Sequence, residues 1–317
     1  MYKAVIIGCG SIGAMKPDKF DSPTTKSVLT HAHAIYNNPS IDLLGFIDSL
    51  PWKAEAAAKK WDSDLYDDLR QGQPDIVVVA TPTETHQEVF HFVKDMLKPR
   101  LIIGEKPLGA NSDECHWIVN NAGAPVLTHY IRRFEPRHQE LAKAFTYLRE
   151  RRGIYGCRVM YGRGLMHDGC HALDLMNWWF GDILSCVVTN TIRDYEDNVS
   201  YGFAARYQYC PQVTFTPVDS KKVGLFEIDI ITDIGTYSLI GNGTKLCMRP
   251  VVTGDAWGDY PSLGLTTSKN TTQLTSAMTY MYKNVVAHLK GKTDIMCTGN
   301  DAMKVWSAYN RIIGGMK

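Results

Sequence analysis

Four short motifs hold the residues whose type and spacing could do chemistry. The first is Gly8-Cys9-Gly10-Ser11-Ile12-Gly13, directly after an apolar run at 4–7. In a GxGxxG loop between strand and helix, the first glycine makes a tight turn and the second lets a pyrophosphate approach the backbone. The third packs the helix on the strand. Ser11 and Ile12 complete the loop, and a helix starting there would turn free N–H groups toward the phosphates. The second motif is Asp48, which closes the run 44–47. A carboxylate ending the second strand accepts hydrogen bonds from an adenosine ribose and repels a 2′-phosphate, which favours NAD and leaves NADP as the alternative. Asp48 lies farther from the glycines than usual. Residues 16–29, with Pro17 and Pro23, read as the insertion responsible, since neither proline suits a helix interior.

The third motif combines Thr81-Pro82, ending the third strand, with Glu105-Lys106-Pro107, ending the fourth. Ligands bind at the carboxyl edge of a parallel sheet, so Thr81, Pro82 and Glu105 should border the dinucleotide. His86, at the start of the next helix, reads equally as a cofactor contact or a buried cap. Lys106 reads either as a general acid/base for a substrate hydroxyl or as a solvated strand-end lysine. Its bond to Pro107 is a candidate cis peptide. The fourth motif runs from Tyr161 to Asp174 and contains Arg163, His167, Asp168, Cys170 and His171. His171 and Asp174 are i, i+3 on one helix face and can act together. No metal is expected here, because His167, Asp168, Cys170 and His171 are too close in sequence to converge on one ion. His31 and His33, two apart on a helix, point different ways and are not expected to form a site. Tyr130, Arg132, Arg133, Tyr161 and Arg163 are candidates to line a substrate pocket, or to be structural; an arginine there would suit a phosphate or carboxylate.

These motifs need two kinds of sheet. Runs at 4–7, 43–47, 76–80, 101–103 and 126–128 are apolar on consecutive positions, as in a parallel sheet covered on both faces. Helical patterns at 27–37, 52–60, 84–95 and 112–121 alternate with them, giving a doubly wound α/β domain over residues 1–128. After 128 come helical patterns at 136–150 and 171–180, then strands at 154–161, 183–190, 199–208, 212–218, 224–232 and 236–240. An α+β domain with an open, mostly antiparallel sheet is expected over 129–317. The polar run 266–272 reads as a surface loop, 276–290 as a helix, and a final helix near 301–313 is expected to pack back on the first domain.

Composition removes other classes. The chain has 317 residues, 34 Lys+Arg against 33 Asp+Glu, and a net charge of +1. It has no global field to hold nucleic acid, and the cluster Arg149, Arg151, Arg152 is broken by Glu150. The best apolar run falls far short of the ~20 residues that span a bilayer. Eight cysteines without a CxxC pair, and no apolar leader, suit reduced thiols in the cytoplasm.

In order and spacing, 8–13, Ala80-Thr81-Pro82 with His86, Glu105-Lys106-Pro107, 130–136 and Gly169-Cys170-His171-Ala172-Leu173-Asp174 resemble the Gfo/Idh/MocA oxidoreductases. The resemblance covers nearly the whole chain. It implies hydride transfer between nicotinamide and a carbinol carbon of a sugar, sugar-nucleotide or cyclitol, with Lys106 and His171 as catalytic residues. Tyr130, Arg133, Arg163, His167, His171 and Asp174 are expected at the substrate, and the resemblance implies an oligomer through the C-terminal sheet, expected as a homodimer or homotetramer. Many members carry Asp four residues before the catalytic His. His167 stands there in this chain, with Asp168 one place later, so these two share the expectation for that role. An NAD-dependent glycosidase and a non-catalytic dinucleotide-sensing regulator are the competing readings.

Overall fold

Consecutive apolar residues give strands that bury both faces, and the first sheet is built from five of them. The computed structural model describes residues 1–66, 72–195, 198–255, 258–266 and 268–315. Two compact units are present: Met1–Phe134 with Thr275–Met303, and Glu135–Leu274 with Lys304–Lys317.

In the first unit β1 (Tyr2–Ile7), β2 (Ile41–Ile47), β3 (Ile76–Val79), β4 (Leu101–Gly104) and β5 (Val126–Thr128) are all parallel, in the order β2-β1-β3-β4-β5. A single parallel bridge from Phe46 to Leu65 extends the sheet beyond β2. With it, the sheet has the doubly wound order of dinucleotide-binding folds, reversing direction between β1 and β3. The glycine loop follows β1 and Thr81 follows β3, so both sit at that switch point.

The helix expected at 27–37 begins only at His31. α1 (His31–Tyr36) is N-capped by Thr30, whose hydroxyl accepts the His33 N–H at 3.2 Å. The glycines instead close a single turn, with the Gly10 carbonyl accepting N–H groups from Ala14 (3.0 Å) and Met15 (2.9 Å). The N–H groups of His31 and Ala32 then donate to the carbonyls of Ile12 (3.1 Å) and Gly13 (2.9 Å). One helix is thus split by an excursion at 16–30. Asp21, fully buried, fastens that excursion by accepting from the Leu29 N–H (2.8 Å) and the Thr30 hydroxyl (2.6 Å) and pairing with His33 Nδ1 (2.8 Å). α2 (Pro51–Trp61), α3 (His86–Phe92) and α4 (Ser112–Asn121) follow.

In the second unit α5 (Pro136–Glu150) starts on proline, with the Glu135 carboxylate capping the His138 N–H at 2.8 Å. After β6 (Ile154–Tyr161), a π-type turn at Gly164–Asp168 leads into α6 (Gly169–Phe180). The strands β7 (Ile183–Tyr195), β8 (Asn198–Tyr207), β9 (Cys210–Pro217), β10 (Phe226–Thr232), β11 (Gly235–Ile240), β12 (Lys245–Asp255), β13 (Gly258–Leu263) and β14 (Ser268–Thr271) complete a nine-stranded sheet. Among the described residues its one parallel pair is β6 with β9, and the other pairs are antiparallel. α6 is the most apolar helix. Its Trp179 meets Phe145 of α5 at 5.5 Å between ring centroids, and Phe145 meets Tyr237 of β11 at 5.7 Å. Burying each such ring contributes on the order of 2–3 kcal/mol.

The polar run 266–272 is not a loop throughout: β14 pairs with β12, Lys245 opposite Thr271 (Thr267 lies outside the described residues). Backbone pairing at that position needs no apolar side chains. α7 (Ala277–Leu289) belongs to the first unit, and α8 (Gly299–Gly314) begins in the first and ends in the second. No helix among the described residues is long and apolar enough to cross a membrane.

Candidate functional site

The three glycines have separable roles. Gly8 has φ +96°, and a Cβ there would lie 2.5 Å from the Ala80 carbonyl oxygen and 2.7 Å from the Thr81 nitrogen. A Cβ on Gly13 would run into the Gly8 carbonyl oxygen, whereas one on Gly10 would meet no atom within 4 Å. Packing therefore requires the outer two, and the middle one fronts open space, as close backbone approach by a pyrophosphate demands. Ser11 is exposed and Ile12 half-buried beside it.

Asp48 is half-buried at the end of β2. Its two carboxylate oxygens accept N–H groups from Cys9 (2.8 Å) and Leu50 (2.9 Å). Each oxygen keeps a lone pair for a ribose hydroxyl. Burial, with the Asp48 charge adding to it, pushes the Cys9 thiol up to about 12, so this cysteine is packing and not a nucleophile. At the end of β3 the Thr81 hydroxyl oxygen is buried and without a partner among the described residues. A dinucleotide fits these residues: open space at Gly10, acceptors at Asp48 and an orphaned polar atom at Thr81. His86 is fully buried, its ring nitrogens 3.1 Å from the carbonyl oxygens of Leu108 and of Thr81. It ties the Thr81-Pro82 turn to the turn after Lys106, and so acts by holding the sheet edge.

Lys106 is half-buried after β4, and its bond to Pro107 is cis. Glu105, expected to border the cofactor, turns its carboxylate inward. Oε1 is 2.6 Å from His129 Nδ1 and 3.0 Å from His31 Nε2, while Oε2 accepts the Lys106 backbone N–H at 3.2 Å. His31 Nδ1 lies 2.9 Å from the Tyr282 hydroxyl. His31, set aside on the sequence, is therefore part of the support beneath Lys106. The ligand-type atoms of His31, Glu105 and His129 all lie within 4.8 Å of one another, and they are engaged in hydrogen bonds among themselves.

This network sets a pH dependence. Burial opposes the charge on Glu105, but the His129 charge and the hydrogen bonds from His129 and His31 outweigh it and hold the carboxyl well below its usual range. Burial pushes His31 down, against the opposing hydrogen bond to Glu105. Both folded values lie below the unfolded ones, so the folded state binds fewer protons and stability rises with pH. Stability should be fullest above about pH 6.5 and fall as the histidine and then the carboxylate ranges are crossed downward. A thermal midpoint that drops on acidification, with a shallower drop in His31→Asn, is the expected outcome. An identical acid profile in the variant would detach the network from stability.

In the second unit Arg163 has φ +62° and donates its N–H to Asp194 at 2.6 Å. Its guanidinium carbon lies 4.7 Å from the Tyr195 ring centroid, and its Nη1 lies 3.5 Å from Asp168 Oδ2. The His167 ring is 4.3 Å from the same tyrosine, with Nε2 3.7 Å from Asp168 Oδ1. Asp168 thus bridges Arg163 and His167 on a Tyr195 platform, a residue no sequence signal singled out. His171 is half-buried in the first turn of α6, whereas Asp174 is fully buried. Three other candidates are held inside. Tyr130 is buried, and Arg133 is buried and paired with Asp301 at 3.0 Å. The Tyr161 hydroxyl donates to the Tyr201 carbonyl at 2.9 Å and accepts its N–H at 2.7 Å.

Residues 2–124 match the Gfo/Idh/MocA family, an oxidoreductase family with an NAD-binding Rossmann fold. The match covers the first domain of this chain. Inositol 2-dehydrogenase 2 of Saccharopolyspora erythraea is 26% identical over 202 residues, 59% of this chain and 56% of that protein. The alignment thus spans little more than half of that relative. Among solved structures, the WlbA dehydrogenase of Bordetella pertussis in complex with NADH and UDP-GlcNAcA has a TM-score of 0.75 at 17% identity, covering 99% of this chain and 95% of that one. UDP-N-acetylglucosamine 3-dehydrogenase GnnA of Acidithiobacillus ferrooxidans has a TM-score of 0.68 at 14% identity, covering 99% of both chains. These structural likenesses show a shared two-part α/β fold over 99% of this chain.

Proposed function

We propose that the protein is an NAD-dependent dehydrogenase or reductase acting on a CH–OH group of a sugar, sugar-nucleotide or cyclitol. The observation that carries this reading is the glycine loop, whose one sterically open position, Gly10, lies in the same loop as Cys9, whose N–H meets Asp48. When bound, NAD supplies the hydride acceptor at nicotinamide C4. The chain's own residues do the rest. Asp48 binds the ribose hydroxyls and disfavours a 2′-phosphate, and Thr81 and Pro82 border the cofactor. Lys106 Nζ takes the proton of the substrate hydroxyl on oxidation and returns it on reduction. In the second unit, Arg163 and Tyr195 orient the substrate, His171 Nε2 or Nδ1 hydrogen-bonds its oxygen, and Asp168 fixes the orientation of His167.

The family relative acts on inositol by name, and two fold relatives are named for UDP-sugars. This supports a polyhydroxylated substrate, and the half-exposed Arg163 suits one carrying phosphate or carboxylate. The outer face of the second unit's sheet exposes Tyr155, Leu184, Val187 and Ile231, which suits a homodimer or homotetramer. All eight cysteines are free thiols, in keeping with a cytoplasmic protein. The test is a panel of cyclitols, free sugars and nucleotide sugars with NAD⁺, followed by NADH absorbance. Substrate-dependent NADH formation that is lost in Lys106→Met is expected. Sugar hydrolysis without net NADH would move the protein to the glycosidase reading.

A further inference from the structure

We propose that Lys16, carried on the insertion that splits the glycine-loop helix, is an additional binding residue for the dinucleotide pyrophosphate. The inference rests on the cofactor reading above and adds to it a cation outside the glycine fingerprint.

The chain path brings this lysine back to the loop it has just left. Gly10 O accepts the N–H groups of Ala14 and Met15 at 3.0 and 2.9 Å, closing one turn, and Lys16 follows at once. Its side chain folds back along that turn, placing Nζ 3.4 Å from Ser11 Oγ. Ser11 adjoins Gly10, the position where a Cβ would meet nothing within 4 Å. The ammonium therefore stands beside the open space, at the edge a phosphate must pass to reach the backbone.

Its surroundings leave the charge available. The insertion's Asp18 carboxylate pairs with Lys60 at 2.9 Å. Among the described residues the Lys16 ammonium donates to a neutral hydroxyl, that of Ser11. Lys60, its side chain only 10% exposed, also donates to the Lys16 carbonyl at 2.7 Å, fixing the backbone from which the lysine reaches. The split helix holds both ends of the insertion, through His31 and Ala32 on Ile12 and Gly13. A half-exposed ammonium on a fixed backbone, with a hydroxyl as partner, can add a charge-assisted hydrogen bond to a phosphate oxygen.

Calorimetric titration of NAD⁺ and of ADP-ribose into wild-type protein, Lys16→Gln and Lys16→Arg, each at low and high salt, tests this. Lys16→Gln should bind both ligands about three- to tenfold more weakly at low salt, as expected for one partly exposed charge-assisted hydrogen bond. The gap should narrow at high salt, because the interaction is screened, and Lys16→Arg should restore most of the affinity. Equal affinity of Lys16→Gln and wild type at low salt overturns the proposal while the cofactor reading stands. A salt-independent loss in Lys16→Gln also overturns it, since the charge would then not be responsible. A wild-type protein that binds neither ligand overturns the cofactor reading, and this proposal with it.

Discussion

Lys106→Met is expected to lower turnover about 10²–10⁴-fold, the range for losing a general acid/base, with NAD affinity nearly unchanged. Lys106 is half-buried, at the carboxyl end of β4 in the five-stranded sheet. Methionine keeps the length of the stem and removes the proton-carrying nitrogen. The turn beneath it is held by groups the substitution leaves intact, since the Lys106 N–H is the atom bonded to Glu105 and His86 holds the flanking carbonyls. The loss should therefore appear in kcat and kcat/KM together. A change confined to KM would make Lys106 a binding residue, and unchanged kinetics would remove it from the mechanism.

The second large effect is expected at Gly10. A valine there meets no protein atom around its Cβ, so Gly10→Val should fold with a thermal midpoint close to wild type. The same side chain fills the space a pyrophosphate needs, and NAD affinity should fall at least about a hundredfold. Gly8→Ala provides the contrast. Its φ of +96° and the 2.5 Å approach to the Ala80 carbonyl make any side chain strained, so the loss there should be one of stability, on the order of 2–4 kcal/mol. If Gly10→Val unfolded like Gly8→Ala, the open space at Gly10 would not be a ligand space.

Why some of this was legible in the sequence follows from which interactions are local. The strands of the first sheet are buried on both faces, so their apolar runs stand out, and the glycine fingerprint is a local demand of one turn. The split helix was not legible in detail. Prolines mark 16–29 as an insertion, but the start at His31 depends on bonds to Ile12 and Gly13 across the excursion. Spacing on one helix asks only whether His31 meets His33. Its actual partner, Glu105, lies 74 positions away. Edge strands such as β14 carry polar residues and pair through backbone, so composition reads them as loop. Tyr195 gains its place only when β7 brings it under Arg163 and His167. Arg133 and Tyr161 show the converse. Chemically apt side chains are taken up by Asp301 and by the Tyr201 backbone.

The measurement that bears most directly on the central claim is calorimetric titration of NAD⁺ and NADP⁺ into the wild-type protein and into Gly10→Val. One NAD⁺ per chain is expected to bind the wild type, more tightly than NADP⁺ because a carboxylate in the proposed ribose-binding role of Asp48 repels a 2′-phosphate, with binding lost in the folded Gly10→Val. A wild-type protein that takes up no dinucleotide, or a folded Gly10→Val that binds NAD⁺ as well as wild type, would contradict the account.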